Sequence, residues 1–172
     1  ISVWSGFEQL GYDGVLYVVQ KQPKDSIERA RFSQSEGLRP SDAEILLARR
    51  ELVREAAAVQ MDELIFTAGG VRREVRVTGV TPPYAPIRKR FPAKGRFFND
   101  NDLRAFNRVC VLGHRLARRL FGVEDPLGKG VTIGGVRFTV VGVGESLGNT
   151  FVNDNEFIRE MEGALLPLTT LR

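Results

Sequence analysis

The fold of this chain is decided by residues 91–144, which read FPAKGRFFNDNDLRAFNRVCVLGHRLARRLFGVEDPLGKGVTIGGVRFTVVGVG. Residues 109–112 are a short apolar run, which predicts a strand that is buried on both faces. From His114 to Phe121 the apolar residues recur at helical spacing, so this segment is predicted to be an amphipathic helix. Its apolar side carries Leu116, Ala117 and Leu120, and its other side carries Arg115, Arg118 and Arg119.

A turn and a hairpin are predicted after this basic helix. Gly122 can adopt the left-handed conformation that ends a helix. Residues 125–130 (DPLGKG) have the composition of a turn. Apolar residues then alternate in two runs, 131–133 and 136–140, on either side of Gly134-Gly135. This pattern predicts two strands joined by a tight turn.

The first part of the chain is predicted to hold a strand, a loop and a helix. Residues 15–20 (VLYVVQ) are rich in β-branched and aromatic side chains, which favours a strand. Residues 21–40 are polar and predict an exposed loop. Ser41 and Glu44 have the spacing of a capping box that would begin a helix. The apolar residues of that helix are Ile45, Leu46, Ala48, Leu52 and Val53.

Strands are also predicted on both sides of the central stretch. Residues 56–66 and 71–80 read as two strands, and residues 86–90 as one helical turn or a loop. Beyond the central stretch, residues 145–156 read as a polar loop, and residues 164–168 (ALLPL) as a final strand. The elements therefore mix helices and strands without strict alternation.

This order of motifs resembles the extracytoplasmic core domain of MacB-like ABC transporter permeases, a family that includes MacB, LolC/E and related FtsX-like systems. The resemblance is carried by GRFF (95–98), Asp102, VCVLG (109–113), ARRLFG (117–122), DPLGK (125–129) and FTVVGV (138–143). Each motif alone recurs by chance, so their order and spacing carry the signal. Outside this stretch, Leu10-Gly11 and the Thr-Gly-Val of residues 78–80 also fit the family.

From the elements and the resemblance together we expect an α+β fold with two lobes. One lobe is a mixed sheet with helices, and the other is a smaller α/β lobe inserted into it. The N-terminal, βαββ-like part of the first lobe is predicted to span residues 1–91, the inserted lobe residues 92–150, and the return to the first lobe residues 151–172. In the family a further helix and strand follow, so the first lobe is expected to be incomplete in this sequence.

The composition is that of an ordinary globular domain, with 42% hydrophobic and 27% charged residues. A formal charge of +4 is small for 172 residues, and no nucleic-acid-binding motif accompanies the arginines, which argues against nucleic acid as a partner. No apolar run approaches the roughly 18–20 residues of a membrane helix, and no signal peptide is visible. With the resemblance, these features predict a domain whose flanking membrane helices lie outside this sequence.

No cofactor site or catalytic site is predicted. Residues 142–148 depart in spacing from a dinucleotide-binding fingerprint. Residues 122–129 depart from a phosphate-binding loop in spacing, and Gly130 stands where such a loop needs Ser or Thr. His114 is the single histidine, so any histidine-dependent relay would have to use it, and its partner could only be guessed.

No metal site is predicted either. Residues 99–102 (NDND) lack the glycine and the glutamate that an EF-hand loop would need downstream. Asp102 is instead expected to cap a turn or the start of a short helix. One histidine and Cys110, the single cysteine, cannot supply the usual ligands of zinc. Cys110 also cannot form an internal disulfide, and its apolar strand predicts an inert core thiol.

Two basic clusters are the candidate partner-contact residues. One is Arg115, Arg118 and Arg119, and the other is Arg88, Lys89 and Arg90. The favoured interpretation of both clusters is a solvated surface. The alternative is a contact with an acidic partner or with headgroups near a membrane.

The resemblance implies a function in transport. The domain would lie on the periplasmic side of the inner membrane and would not itself bind or hydrolyse ATP. It would pass conformational change across the membrane and dock a periplasmic partner, for efflux or for lipoprotein or peptide export. The implied partners are a second permease subunit in a dimer, a cytoplasmic ATPase domain or subunit, and a periplasmic adaptor protein. A stand-alone module that binds a small molecule or peptide in the cleft between lobes is the alternative.

Overall fold

The structure is a computed structural model that divides into two compact units, residues 1–56 and residues 57–172. It describes residues 2–4, 14–19, 25–27, 30, 33, 37–146 and 162–171. None of the helices in these described ranges combines the length and the apolar character that crossing a bilayer requires. Most of the polar loop predicted at residues 145–156 lies outside the described residues.

The first unit holds a two-stranded antiparallel sheet and a helix. Strand β1 (Ser2–Trp4) pairs with strand β2 (Tyr17–Val19). β2 is the core of the strand predicted at residues 15–20. Residues 26, 27 and 30 are helical, which corrects the prediction of a loop there. Helix α1 spans Pro40–Leu47.

Helix α1 begins and ends earlier than its sequence pattern predicts. Pro40 is its first residue, and the Asp42 carboxylate accepts a hydrogen bond from the Arg39 backbone N–H at 2.8 Å. The capping box predicted at Ser41 and Glu44 is therefore wrong, because proline with its fixed φ is favoured at the first helical position and shifts the start of the helix by two residues. The helix also contains no buried residue. Without a core to hold its apolar side, it ends at Leu47.

The second unit is built on a seven-stranded sheet. Its strands are β3 (Val59–Ala68), β4 (Val71–Val80), β5 (Pro92–Gly95), β6 (Val109–Leu112), β7 (Gly130–Ile133), β8 (Val136–Gly144) and β9 (Ala164–Pro167). Its helices are α2 (Tyr84–Arg88), α3 (Asp100–Arg104), α4 (His114–Phe121) and a 3₁₀ turn at Leu168–Thr170. The buried strand, the basic helix and the hairpin predicted in the central stretch are confirmed as β6, α4 and β7–β8.

The sheet closes on itself. Its strand order is β5–β8–β6–β9–β4–β3–β7, and β7 pairs with β8 as well as with β3. All strands except β5 therefore form a ring, and β5 pairs only with the C-terminal part of β8. The ring is mixed, because β4–β9 and β6–β8 are parallel pairs and the other pairs are antiparallel.

One face of the ring encloses the larger apolar core, here called the inner core. Alternate residues of the ring strands supply it, as the two-residue period of a strand requires. Its fully buried members include Phe66, Val77, Cys110, Leu112, Val131, Ile133, Val140 and Leu166. Helix α4 adds its apolar side, Leu116, Ala117 and Leu120, to the same cluster. The amphipathic pattern of that helix thus buries its leucines and leaves its arginines outside.

The opposite face of the ring carries a second cluster, here called the outer core. It consists of Val80, Tyr84, Phe98 and Val111, with Phe97, Leu103, Val109, Val141 and Leu165 packed against it. Helices α2 and α3 supply part of this layer. Gly95 ends β5 with a φ of +75°, and a side chain there would collide with the Val141 carbonyl. This explains why glycine precedes Arg96 in the GRFF motif.

The α+β class predicted from the sequence is confirmed by this mixed architecture. The division into lobes at residues 91 and 150 stays a prediction. Strands from both sides of residue 91 belong to the one seven-stranded sheet of the second unit.

Candidate functional site

The basic helix places its three arginines on the exposed side. Arg115, Arg118 and Arg119 are exposed, while Leu116, Ala117 and Leu120 on the opposite side are buried. Gly113 is the N-cap of this helix and directly follows the buried strand β6, and the apolar side of the helix packs in the inner core. The predicted arrangement of these three residues on one helical face is confirmed.

Two of the three arginines are held by one carboxylate. Glu162 lies 3.0 Å from Arg119 Nη2 and 3.6 Å from Arg115 Nη1. Glu162 immediately precedes the segment that leads into β9, so these ion pairs connect the basic helix to the last strand. Arg118 makes no ion pair with any residue in the described ranges. The sequence gives no sign of Glu162 as a partner, because it lies 43 residues from Arg119.

Beside Arg119 lies a shallow depression of about 230 Å³. Its charged lining is mixed in sign and consists of Glu63, Arg73, Glu74, Arg76, Arg119 and Glu162. Arg76 and Glu63 face each other across the β3–β4 pair, with 3.7 Å between Arg76 Nη2 and Glu63 Oε1. Because both signs alternate here, the depression is not a site for one strongly charged ligand.

The second basic cluster does not present a single face. Arg88 is 4% exposed, Lys89 is exposed, and Arg90 is half-buried. Lys89 has a φ of +52°, which turns the chain at the end of helix α2. Arg90 lines a small, mostly apolar depression of about 50 Å³ together with Phe91, Phe97 and His114. Of these three basic residues, Lys89 alone is fully accessible.

A buried carboxylate organises the turn that follows the GRFF motif. Asp102, 3% exposed, accepts hydrogen bonds from Arg96 Nη1 at 2.7 Å and Nη2 at 3.3 Å. It also accepts from the Asn99 backbone N–H at 3.0 Å and from Asn107 Nδ2 at 3.0 Å. Asn99 in return accepts from the backbone N–H groups of Asn101 and Asp102, so the two side chains form a reciprocal capping box at the start of α3.

This network fixes the charge of Asp102. The hydrogen bond from Arg96 is the largest cause that lowers the pKa of Asp102 to about 2, with Asn107 and Asn99 adding to it and burial opposing it. The same contact raises the pKa of Arg96. The predicted capping role of Asp102 is confirmed, but the pairing with Arg96 was missed. The only signal in the sequence is an arginine six residues before the aspartate.

Two other titratable groups have pKa values that their surroundings shift. Burial raises the pKa of the Cys110 thiol, which lies in the inner core. The hydrogen bond from Lys129 lowers the pKa of Glu124, an exposed group in the turn after the basic helix. Within the described ranges there is no group of three or more His, Cys, Asp or Glu side chains that could hold a metal ion.

Comparison with known proteins identifies the family of this chain. The family model of the MacB-like periplasmic core domain matches residues 3–172. The macrolide export ATP-binding/permease protein MacB of Rhodospirillum rubrum is 34% identical over 135 residues, which are 77% of this chain and 20% of that protein. The pyoverdine export ATP-binding/permease protein PvdT of Pseudomonas aeruginosa is 29% identical over 107 residues, or 62% of this chain and 16% of that protein.

Solved structures share the fold. The periplasmic region of MacB from Actinobacillus actinomycetemcomitans superposes with a TM-score of 0.65 at 20% identity, covering 85% of this chain and 62% of that one. The extracellular domain of the ABC-type transporter YknZ from Gram-positive bacteria gives a TM-score of 0.66 at 21% identity, covering 81% of this chain and 68% of that one. This chain spans about a fifth of the length of the first curated relative it matches. The resemblance seen in the sequence is confirmed, and the chain belongs to the family of MacB-like periplasmic core domains.

Proposed function

We propose that this chain is the extracytoplasmic domain of an ABC transporter permease and passes ATP-driven conformational change to the outer side of the membrane. The observation that carries the proposal is the family match over residues 3–172, which leaves almost none of the chain unassigned. The relatives are named as export ATP-binding/permease proteins for macrolides and for pyoverdine. Efflux, or export of lipoproteins or peptides, is the transport that the domain would serve.

The closed ring suits a mechanical role. Because β7 joins β3 to β8, the ring strands are connected through hydrogen bonds on both sides and enclose one apolar core. Such a body moves as a unit, and conformational change in a transporter commonly takes the form of rigid-body motion.

The partners belong to the same proposal. The domain would stand on the periplasmic side of the inner membrane in a dimer with a second permease subunit. A cytoplasmic ATPase domain or subunit would drive it, and a periplasmic adaptor protein would dock on it. Among the six candidate contact residues, Arg88 is buried, and both Arg115 and Arg119 bind Glu162. Arg118 and Lys89 are the members best placed to meet a partner.

The sequence on either side of this chain in the natural protein offers the first test. We expect apolar runs of roughly 20 residues, one before and three after, because each must span the hydrocarbon core as a helix. A natural protein without such runs would contradict the permease assignment.

Transport by the full-length protein offers the second test. Leu112→Asp places a charge in the inner core, where Leu112 is 0% exposed, and should unfold the domain. We expect this variant to retain basal ATP hydrolysis in membrane vesicles and to lose export. Val123→Asp is the matched control, because Val123 is 91% exposed, and it should preserve both activities. Export that survives Leu112→Asp at normal membrane levels would contradict the coupling role.

Neither of the two depressions described above favours the alternative of a small-molecule binding module. They hold about 230 Å³ and about 50 Å³, below the roughly 300–1,000 Å³ typical of ligand pockets. Transport is therefore the better supported function.

A further inference from the structure

The N-terminal half of strand β3 has a free edge. β3 pairs with β4 at every residue. On its other side β7 pairs only with Phe66 and Thr67, and the chain then turns at Gly134-Gly135 into β8. Residues 59–63 are all exposed, and no strand in the described part of the chain pairs with their second edge. An unpaired edge of this kind is a template for another strand.

The backbone groups that point outward along this edge belong to Val59, Met61 and Glu63. Each residue of an antiparallel strand directs its N–H and its C=O to one side, and the next residue directs them to the other side. The Ile65 carbonyl accepts from the Gly134 N–H at 2.9 Å, so Ile65 faces β7 and not β4. Glu63, Met61 and Val59 precede it at two-residue steps and therefore face the same way. Each can exchange a pair of hydrogen bonds with a facing residue of an added antiparallel strand.

The side chains of the same edge would give an added strand apolar contact. Val59, Met61 and Ile65 lie on the face opposite the buried Phe66, because side chains alternate along a strand. All three are exposed, and Met61 is the most exposed of them at 59%. Val59 faces Val80, a fully buried member of the outer core. An apolar side chain that faces Val59 from an added strand would therefore extend the outer core.

Two carboxylates make this edge acidic. Asp62 accepts a hydrogen bond from the Glu63 backbone N–H at 2.8 Å, so its carboxylate covers one of the outward donors. Asp62 makes no ion pair with a residue in the described ranges, whereas the Glu63 carboxylate lies 3.7 Å from Arg76 Nη2. Charged side chains on an edge keep unsuitable strands away. A lysine or arginine opposite Asp62 would instead attract its carboxylate and release the Glu63 N–H for pairing.

We infer that the edge of β3 at residues 59–63 binds an extended, basic segment of a protein partner as an added antiparallel strand. Its apolar residues would face Val59 and Met61, and a Lys or Arg would face Asp62. Strand addition takes its affinity from main-chain hydrogen bonds and its specificity from alternate side chains. The antiparallel direction is favoured because the same edge already pairs in that direction with β7.

A second copy of this chain is disfavoured as the occupant. Antiparallel pairing of two such edges would bring the Asp62 and Glu63 carboxylates of both copies into one seam, where like charges repel. The inference rests on the proposed docking of a periplasmic partner, and it names the chemistry of the segment that docks.

Photolabelling of the purified full-length protein with a synthetic strand tests the edge. The probe is a short biotinylated peptide that alternates lysine and valine, with photoleucine in place of its central valine. Residues that directly face Val59 and Met61 have side chains on the same face and direct their N–H groups at β3, so the valine N–H groups point at the edge and the lysine N–H groups point away. We expect the label on residues 57–65. Methylation of the valine nitrogens should lower labelling about a hundred-fold, and methylation of the lysine nitrogens, the matched control, should leave it unchanged.

Reversal of the charge on the edge tests its selectivity. Asp62→Lys should lower labelling by the lysine peptide about five- to ten-fold, because an attractive cross-strand pair becomes a repulsive one. A peptide that alternates glutamate and valine should label Asp62→Lys more strongly than wild type, a gain that a misfolded variant could not produce. Asp100→Lys, at an exposed carboxylate of helix α3, is the control and should change neither result.

Crosslinking in cells tests the occupant. The full-length protein would carry p-benzoylphenylalanine in place of Gln60, which is exposed beside Asp62. We expect an adduct with another protein on a segment that alternates apolar residues with Lys or Arg, and Asp62→Lys should remove it. An adduct with a second copy of the chain, an adduct with phospholipid, or no adduct would overturn the inference.

The peptide results can also overturn it. Label outside residues 57–65, or equal losses from the two methylated peptides, would show that the edge does not pair with an added strand. Loss on lysine methylation alone would contradict the antiparallel arrangement. Failure of the transport proposal would appear separately, as flanking sequence without apolar runs of membrane length, and the labelling of the edge would stand.

Discussion

The two cores of the second unit are stabilised in different ways, although they share the same strands. The inner core contains buried apolar side chains and the thiol of Cys110, which burial keeps neutral. The outer core is packed beside the turn that Asp102 organises, where an ionised carboxylate is 3% exposed. The volume of the packed side chains should therefore determine how much the inner core stabilises the fold. On the outer side, the charge of Asp102 should add to the stability.

The largest effect is expected from a cavity in the inner core. Phe66→Ala removes a side chain that is 0% exposed, and should lower the free energy of unfolding by about 3–5 kcal/mol. Urea unfolding of the purified protein at neutral pH measures the change. Val123→Ala, at a residue that is 91% exposed, should change it by less than about 0.5 kcal/mol. Equal effects at the two positions would show that the ring does not enclose the main core.

A smaller effect is expected when the charge of the outer side is removed. Asp102→Asn keeps the shape of the side chain but weakens its bonds to Arg96 and Asn99. Because hydrogen bonds to charged groups are the strong ones, we expect a loss of about 2 kcal/mol in the same urea experiment. Asp100→Asn, at an exposed carboxylate of the same helix, is the control and should cost less than about 0.5 kcal/mol. If Asp102→Asn leaves the free energy of unfolding unchanged, the hydrogen bonds of Asp102 do not contribute to the stability of the fold.

The pH dependence of the two sides should differ as well. The pKa of Asp102 is about 2 in the folded protein and 3.8 ordinarily. Between these values the unfolded state binds more protons, so the stabilisation is complete above about pH 4 and is lost as the pH falls toward 2. The difference in stability between wild type and Asp102→Asn should shrink over that range, whereas the cost of Phe66→Ala should persist. A difference that is constant down to pH 2 would contradict the role of the charge.

The smallest effect is expected at the basic helix. Arg119→Ala removes the 3.0 Å contact with Glu162, which is partly exposed. Exposed ion pairs contribute little, so the free energy of unfolding should fall by less than about 1 kcal/mol, and the loss should decrease in high salt. Arg118→Ala, at the neighbouring arginine, is the control. A loss above about 2 kcal/mol that is insensitive to salt would show that the Arg119–Glu162 ion pair stabilises the fold as strongly as the Asp102 network does.

The inner core was largely predictable because its signals are local. Cys110 and Leu112 of β6 and the three-residue apolar side of the basic helix follow directly from two periods in the sequence. Closure of the ring was not predictable, because β7 meets β3 and β4 meets β9 across long separations in the chain. Periodicity says which face of a strand is buried but not which strand lies beside it.

The outer side was predicted only in part, because its determinants are polar and specific. Asp102 was expected to cap a helix and does so, but the buried pair with Arg96 depends on how β5 positions that arginine. The positive φ of Phe106, +52°, follows from helix α3 ending where it does, which the residue types do not reveal. At α1 the apolar pattern correctly predicted a helix but overestimated its length, because none of the residues of the helix is buried.

The position of β9 determines how the domain would resist a pulling force on its last strand. This last strand lies between β4, to which it is parallel, and β6, to which it is antiparallel. A force applied along the axis of β9 at Pro167 would load both hydrogen-bond ladders in shear, so that several bonds must break together and not one after another. Tension on β9 would therefore be shared at once by β4 and β6 and, through them, by the other strands of the ring.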